Sequence, residues 1–354
     1  MDIEFKEGTN LIIGDNGAGK TNIIEAIYYL STSKSFRNSL DRDIKNWNKD
    51  EFAIKGYFYS GDEEIIVKFK YLNGRKELYI NEIPEDRVTK IVGKIFIVPF
   101  LFDDIYLISG SPAKRRSFID LTLSMVDSFY FGNLKDYIFA VRQKNSLLKN
   151  ERIVNKDLLS VWNEKISEYA SYLVWSRKRL IDNFNGIIGK LGEKAYSSRF
   201  LFNIKYRSMV KLKNDESIDD IKKSILKTLN NNMDKEIALK SCLYGPHRED
   251  FTIYKDNYTV RKFGSIGEGR ITSIILKKCQ VEFYKQFKKV NPILLIDDVF
   301  LELDNDTRRL AKTIIDDNSQ ILITTTSVKN IPDNFKYKKL FHIVNGKVDK
   351  EVVY

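Results

Sequence analysis

A glycine-rich turn followed by lysine and threonine lies near the start of the sequence. The stretch GDNGAGKT, residues 14–21, fits the pattern G-x-x-x-x-G-K-[ST], which binds nucleotide phosphates. The glycines let backbone N–H groups point inward at phosphate oxygens, and a helix that begins at the turn adds partial positive charge. We expect Lys20 to reach the β and γ phosphates and the Thr21 hydroxyl to bind Mg²⁺. The predicted phosphate-binding residues are Gly14, Asp15, Asn16, Gly17, Ala18, Gly19, Lys20 and Thr21.

Two adjacent aspartates follow an apolar run late in the chain. In ILLIDD, residues 293–298, four apolar residues precede Asp297 and Asp298, as in a Walker B strand. We expect Asp297 to help hold Mg²⁺ and Asp298 to orient or polarise an attacking water, so Asp298 and Lys20 are the predicted catalytic residues. The alternative is a strand that merely ends in two capping aspartates. A second carboxylate is typical of a site that hydrolyses ATP.

A third stretch, FGSIGEGR, precedes the aspartate pair. Ser265, Gly267 and Glu268 fit S-x-G-[EQ] at the start of a predicted helix, the pattern of the signature loop of ABC-type ATPases. Such a helix N-terminus is a second site for an anion. In that class the loop faces the γ-phosphate bound by a second subunit. We therefore predict an ATP-dependent homodimer.

Apolar periodicity predicts the elements that position these residues. Residues 10–13 indicate a buried strand before the glycine turn, and a helix pattern follows the turn. Alternating residues and Asn73-Gly74 then predict a largely antiparallel meander. The middle of the chain is mainly helical and contains one long amphipathic helix, on which we expect Trp162 and Trp175 to be core anchors. The apolar runs ILLID and ILITT indicate buried parallel strands.

Lys20 and Asp297 are separated by most of the 354-residue chain, more than a compact P-loop domain needs. The predicted fold class is α/β: an ABC-type P-loop ATPase head with a mixed β-sheet and an inserted helical arm, the arrangement of SMC and Rad50 ATPases. We assign residues 1–112 to the N-terminal part of the head and 113–240 to the arm (lobe II). Residues 241–354 form the C-terminal part of the head.

Composition narrows the class of partner. With 59 Lys and Arg against 48 Asp and Glu, the net charge of +11 favours a polyanion, nucleic acid ahead of an anionic membrane surface. No apolar run approaches about 18 residues, and MDIEFKEG lacks a signal-peptide core, so we expect a cytoplasmic protein with no membrane contact. Cys242 and Cys279 form no zinc pattern, which fits a reducing compartment.

Five stretches in this order resemble the RecF family of bacterial recombination mediators, which are SMC/Rad50-like ABC-type ATPases. The similarity covers nearly the whole chain. The stretches are GDNGAGKTNIIEAIYYLSTSKSFR, DDIYLISGSPAKRRSFID, YIFAVRQKNSLLK, YGPHRED and LLIDDVFLELD.

The resemblance implies a slow, DNA-stimulated ATPase that uses ATP and Mg²⁺. It would form an ATP-dependent dimer on gapped or double-stranded DNA in DNA repair, DNA replication and the SOS response. With RecR- and RecO-type mediators, it would help load RecA recombinase at single-strand gaps and stalled forks. The alternative is a RecF-like SMC-type ATPase clamp that acts on a different partner, for example in defence.

Some positions depart from the family pattern. Leu301 replaces the D-loop serine, Glu268 replaces the signature glutamine, and Phe102 stands where a proline is expected. Thr324–Thr326 take the place of the ABC switch histidine, as in the family. The family also has a strand before EFKEGTNLIIG that helps cover the adenine. We expect either a misassigned start codon or a reduced nucleotide affinity.

Two further groups have alternative roles. His247 in YGPHRED is either structural or couples the nucleotide site to the arm or to DNA. Lys114, Arg115 and Arg116 either contact DNA phosphates or form a solvated helix face.

Overall fold

The computed structural model describes residues 1–37, 39–44, 51–61, 63–150, 155–196, 201–213, 215–301, 303, 305–315, 319–332 and 335–354. The chain divides into two compact units. The first, which we call the sheet unit, comprises Met1–Asp104 and Gln280–Tyr354. The second, the helical unit, comprises Ile105–Cys279.

The elements follow one another along the chain in an irregular alternation of strands and helices. The strands are β1 Thr9–Ile13, β2 Glu51–Ser60, β3 Glu63–Leu72, β4 Arg75–Ile80, β5 Ile83–Glu85, β6 Ile97–Leu101, β7 Phe202–Arg207, β8 Asp250–Lys255, β9 Tyr258–Thr259, β10 Ile293–Asp297, β11 Ile321–Thr325, β12 Lys339–Val344 and β13 Lys347–Val353. The helices are α1 Lys20–Thr32, α2 Asp41–Ile44, α3 Tyr106–Ser109, α4 Pro112–Val126, α5 Ser128–Asn150, α6 Lys156–Tyr196, α7 Ile218–Asn231, α8 Met233–Leu239, α9 Val260–Phe263, α10 Ile266–Lys288 and α11 Asn305–Ile315. Short 3-10 turns cover Val88–Ile91, Phe102–Ile105, Pro246–Arg248 and Val328–Asn330.

A six-stranded sheet in the order β13-β12-β1-β11-β10-β6 forms the centre of the sheet unit. All neighbouring pairs are parallel except β12 with β13, so the predicted mixed sheet is confirmed. Leu11, Leu295 and Ile323 are fully buried, as expected for strands covered on both faces. Because parallel strands end at the same edge, the turn after β1 and the aspartates after β10 meet there.

The strands that follow α1 form the expected antiparallel meander, in the order β2-β3-β4-β5. Helix α1 packs on one face of this sheet, where Tyr29 meets the rings of Phe52 and Phe69 edge-on, with centroids 5.9 and 5.2 Å apart. This face buries aromatic and aliphatic side chains, and side chains of the alternate residues lie on the other face.

The long helix α6 dominates the helical unit. It buries Leu159, Ile166 and Leu173 fully, as its periodicity predicts. Trp162 and Trp175, which we expected to be core anchors rather than ligand contacts, are half-buried, with ring centroids 6.3 Å from Phe139 and 5.7 Å from Tyr172. Partial exposure is common for tryptophan, which is rarely buried completely because of its size.

The helical unit also contains the antiparallel sheet β7-β8-β9. Because β8 pairs with β7, residues 241–279 cluster with the helices, although the sequence-based boundaries assign 241–354 to the head. The division into 1–112, 113–240 and 241–354 stays a prediction.

Candidate nucleotide-binding site

The glycine-rich turn begins directly after β1 and ends where α1 starts. Gly17 and Gly19 have φ angles of 81° and 103°, in the left-handed region that glycine adopts without a steric penalty. The Ala18 N–H donates to the Asp15 carbonyl at 3.1 Å and closes the turn. The predicted strand, turn and helix are therefore present in this order.

The hairpin between β12 and β13 supports the turn from outside. The Gly346 N–H donates to the Ala18 carbonyl at 2.8 Å. A Cβ atom at Gly14 would lie 2.4 Å from the Ile343 carbonyl oxygen, and one at Gly19 would lie 3.3 Å from Gly346 Cα. A side chain at position 14 would therefore push the hairpin away, so the glycine is required by the close approach of the backbone.

Lys20 points back over the turn. Its side chain is buried, and its Nζ atom donates to the carbonyls of Gly14 and Asp15 at 2.8 and 3.0 Å. These neutral acceptors satisfy the buried ammonium group. Phosphate oxygens would be stronger acceptors, because their charge strengthens the hydrogen bond.

Thr21 and Asp297 are brought together from opposite ends of the sequence. The Thr21 hydroxyl donates to Asp297 Oδ1 at 3.0 Å. Because the hydroxyl donates its proton to this carboxylate, the lone pairs of its oxygen remain available to bind a cation. A hydroxyl and a carboxylate are oxygen ligands of the kind that Mg²⁺ prefers, so these residues fit the predicted ion.

Asp298 differs from Asp297 in backbone and environment. Its φ of 52° is in the left-handed region, which costs a non-glycine residue on the order of 1–3 kcal/mol. Its Oδ1 atom is buried and has no hydrogen-bond partner among the described residues. Burial, and next the charge of Asp297, raise the pKa of its carboxyl group, while Lys20 acts in the opposite direction. An unpartnered carboxylate oxygen beside the glycine turn suits the predicted contact with water.

The aspartates also contact Thr324, the first residue of the stretch that takes the place of the ABC switch histidine. Thr324 on β11 donates from its hydroxyl to Asp297 Oδ1 at 2.6 Å and accepts from the Asp298 N–H at 3.2 Å. The sequence did not predict these two contacts, because a threonine on a buried β-strand is common.

The predicted signature residues lie in the helical unit, at the start of α10. Ser265 and Glu268 form a capping box: the Ser265 hydroxyl accepts from the Glu268 N–H at 3.1 Å, and the Glu268 carboxylate accepts from the Ser265 N–H at 2.9 Å. Glu268 also pairs with Lys255 at 2.5 Å. Gly267 follows within the first turn. The S-x-x-E spacing was the sequence signal for this cap.

The contacts of His247 fit the structural alternative, and coupling of the nucleotide site to the arm or to DNA stays a prediction. Its Nδ1 contacts the Tyr137 hydroxyl, and its Nε2 donates to the Cys242 carbonyl at 3.2 Å. Burial, the largest cause, lowers the pKa of the imidazole to about 4 together with the charges of Arg248 and Arg116, while the hydrogen bond to the Cys242 carbonyl and the charge of Glu236 act in the opposite direction. The ring is therefore neutral near pH 7.

The three basic residues at the start of α4 differ in burial and in their partners. Arg115 is buried and forms a bidentate pair with Asp250, at 2.6 and 2.9 Å, so both the phosphate and the solvated-face readings are wrong for it. Arg116 donates to the Glu249 carbonyl at 2.9 Å. Lys114 is exposed, with its ammonium 4.7 Å from the centre of the Tyr106 ring.

The predicted D-loop, which contains Leu301, is only partly described by the structure. Leu301, in the place of the D-loop serine, is exposed. The D-loop positions 302 and 304 lie outside the described residues.

Comparisons with known proteins give matches that cover almost the whole chain. A family model described as an AAA domain matches residues 1–345. The DNA replication and repair protein RecF of Clostridium perfringens (strain SM101 / Type A) is 32% identical over 350 residues, 98% of this chain and 95% of that protein. The protein of the same name from Clostridium botulinum (strain Eklund 17B / Type B) is 34% identical over 352 residues, with coverage of 98% and 95%.

Solved structures match as well. A structure of the recombination mediator protein RecF with ATP, in the RecFOR pathway, has a TM-score of 0.90 at 30% identity and covers 99% of this chain and 93% of that chain. An SMC head bound to the C-winged helix domain of ScpA has a TM-score of 0.52 at 16% identity, with coverage of 99% and 92%. This second likeness shows the fold alone. In the part of the chain that the structure describes, no helix is long and apolar enough to cross a membrane.

Proposed function

Because the chain belongs to the RecF family of DNA replication and repair proteins, we propose that it binds and hydrolyses ATP to control its action on DNA in recombinational repair. The hydrogen bond between Thr21 and Asp297, at 3.0 Å, is the observation that carries the ATPase proposal. It joins the phosphate-binding turn to the Walker B strand, although most of the chain lies between them. The residues needed for nucleotide and metal therefore share one edge of the sheet.

Each residue has a distinct role in this proposal. The backbone N–H groups of residues 14–19 and the Lys20 ammonium bind the phosphates. Thr21 and Asp297 would hold Mg²⁺, which, when bound, neutralises charge on the phosphate oxygens. Asp298 orients the attacking water through the carboxylate oxygen that lacks a partner among the described residues. Lys20 stabilises the negative charge that develops during transfer of the terminal phosphoryl group.

We propose that ATP also joins two copies of the chain. Ser265, Gly267 and Glu268 would face the γ-phosphate bound by the partner copy. Support comes from the exposed start of α10, where Ser265 directly precedes the helix and Gly267 lies in its first turn. The Ser265 hydroxyl accepts the capping bond through a lone pair, so its proton can be donated to a phosphate oxygen.

A DNA contact is favoured on the open face of the β2–β5 sheet. We call Lys55, Tyr57, Lys68, Lys70 and Tyr79 the lysine–tyrosine face. Strand register places Lys55 beside Lys68 and Lys68 beside Tyr79. The Lys68 and Lys70 ammonium groups lie 5.8 and 5.3 Å from the centre of the Tyr79 ring. Interleaved cations and aromatic rings suit the backbone and bases of a nucleic acid.

Two carboxylates reduce the net positive charge of the lysine–tyrosine face. Lys55 pairs with Glu82 at 2.6 Å, and the Tyr79 hydroxyl donates to Glu77 at 2.9 Å. Lys68 and Lys70 are therefore the cations we assign to phosphate contacts. Such contacts would make DNA binding strongly dependent on salt and weakly dependent on sequence.

The remaining parts of the proposal follow from the family. The chain would act in the cytoplasm at single-strand gaps and stalled forks, with RecR- and RecO-type mediators, to help load RecA. The solved relative is a recombination mediator of the RecFOR pathway, which supports this assignment. Hydrolysis would be slow and stimulated by DNA.

A titration of fluorescent gapped duplex, with and without ATP and Mg²⁺, tests the proposal. We expect ATP to tighten binding in the parent chain but not in Lys20→Ala, which serves as the matched control. ATP binding and ATP-dependent dimerisation with no response to DNA would favour a clamp that acts on a different partner. Absence of ATP binding in the parent would contradict the ATPase proposal itself.

A further inference from the structure

Thr324 occupies the centre of the sheet edge that holds the nucleotide site. It is buried on β11, with 1% of its surface exposed. In the strand register it lies opposite Asp297 on β10 and opposite Ile12 on β1. It therefore stands between the strand that leads into the phosphate-binding turn and the strand that ends in the two aspartates.

The hydrogen bonds of its hydroxyl can be assigned from their distances. The group has one proton, and its possible acceptors are Asp297 Oδ1 at 2.6 Å and the Ile296 carbonyl at 3.4 Å. The shorter distance and the negative charge select the carboxylate. The oxygen of the same hydroxyl is then free to accept from the Asp298 N–H at 3.2 Å. One hydroxyl thus holds the side chain of Asp297 and the backbone of Asp298.

We infer that Thr324 is a positioning residue for metal binding and water activation. Asp297 Oδ1 receives two hydroxyl protons, from Thr21 and Thr324, which fix the rotation of its carboxylate. The bond to the Asp298 N–H holds a residue whose φ of 52° is unfavourable without support. This inference rests on the proposed ATPase function and assigns a task to a residue for which the sequence predicted none.

The neighbouring Thr325 provides a matched control. It is also buried on β11, with 2% of its surface exposed. Its hydroxyl donates to the Ser327 carbonyl at 3.3 Å and is 3.4 Å from the donating Asn330 amide nitrogen. Alternate residues of a strand point to opposite faces, so a substitution here removes a buried hydroxyl without touching Asp297 or Asp298.

The test is binding of a fluorescent ATP analogue to the full chain during a Mg²⁺ titration. Partners that orient metal ligands typically contribute about ten- to a hundredfold in metal affinity. We expect Thr324→Val to raise the half-saturating Mg²⁺ concentration about tenfold, the lower end of that range. Nucleotide affinity in EDTA should stay at the parent value. Thr324→Ser should restore the parent response, and Thr325→Val should leave it unchanged.

Folding is checked by thermal unfolding in EDTA, and Thr324→Ala gives a second variant without the hydroxyl should the valine disrupt the sheet. A parent-like Mg²⁺ dependence in Thr324→Val or Thr324→Ala would overturn the inference. An equal loss in Thr325→Val, or an equal loss in EDTA, would assign the effect to general destabilisation and also overturn it. If the parent binds nucleotide without any dependence on Mg²⁺, the positioning role fails while ATP binding stands. If the parent binds no nucleotide at all, the proposed function fails first.

Discussion

Replacing His247 by glutamine should remove most of the pH dependence of stability between pH 7.5 and pH 5. His247 is one of two histidines in the chain, and its pKa is lowered to about 4, chiefly by burial. In the unfolded chain the imidazole returns to its ordinary value of 6.5. The folded state therefore favours the neutral ring. This contribution to stability is complete above pH 6.5 and is lost as the pH falls from 6.5 towards 4.

The magnitude follows from the difference between the two pKa values. Linkage gives a total contribution of about 3 kcal/mol, of which about 2 kcal/mol is lost by pH 5. Glutamine does not titrate, so His247→Gln should lack this loss. The substitution also removes hydrogen bonds to Tyr137 and Cys242, and it should lower stability at both pH values. The informative quantity is therefore the change between the two pH values within each variant.

Urea unfolding at pH 7.5 and pH 5 measures that change. His342→Gln is the control, because this histidine lies on β12 with its Nδ1 3.2 Å from Asp349 and its side chain 40% exposed. We expect the control to keep the full decrease in the free energy of unfolding. If His247→Gln lost as much stability as the parent between the two pH values, the buried neutral imidazole would be refuted. A large change in ATP affinity at pH 7.5 would instead favour the coupling role of His247.

Three substitutions at the nucleotide site complete the set. Lys20→Ala should abolish ATP binding with the circular dichroism spectrum unchanged, and an unaltered ATP affinity would rule out the P-loop assignment. Ser265→Arg should bind ATP as a monomer but fail to dimerise, because the bulky cation fills the space for the partner's phosphate. Loss of the helix cap alone costs about 1 kcal/mol, and the control Ser265→Asn, which retains a capping side chain, separates that loss from the effect on dimerisation. Asp298→Asn should bind ATP and slow single-turnover hydrolysis on gapped DNA by on the order of 10²–10⁴, with accumulation of dimer. Equal hydrolysis rates would remove Asp298 from the catalytic role, and loss of ATP binding would move it to the metal site.

Local patterns predicted much of the sheet unit because its chemistry is encoded in short stretches. The turn at residues 14–21 and the apolar run before Asp297 each specify a strand and its direction. Parallel strands share one edge, so the meeting of Thr21 and Asp297 followed from topology. The contact between Thr324 and Asp297 could not be predicted in this way, because it depends on the strand register and not on sequence neighbours.

The helical unit was harder to predict because its buried charged residues pair with partners that are far away in the sequence. Arg115 in a KRR cluster resembles a solvated or DNA-binding residue, but its partner Asp250 lies 135 positions away. Arg177 is likewise buried and bonds Asp120 at 2.7 Å. Hydrophobic periodicity carries no information about such partners.

Sedimentation velocity of the chain with gapped duplex, in the presence and absence of ATP and Mg²⁺, tests the central claim most directly. The proposed function predicts a faster-sedimenting complex with two copies of the chain per DNA only when ATP is present. The Lys20→Ala control should give the nucleotide-free pattern under both conditions. Identical sedimentation of the parent with and without ATP would contradict an ATP-controlled action on DNA.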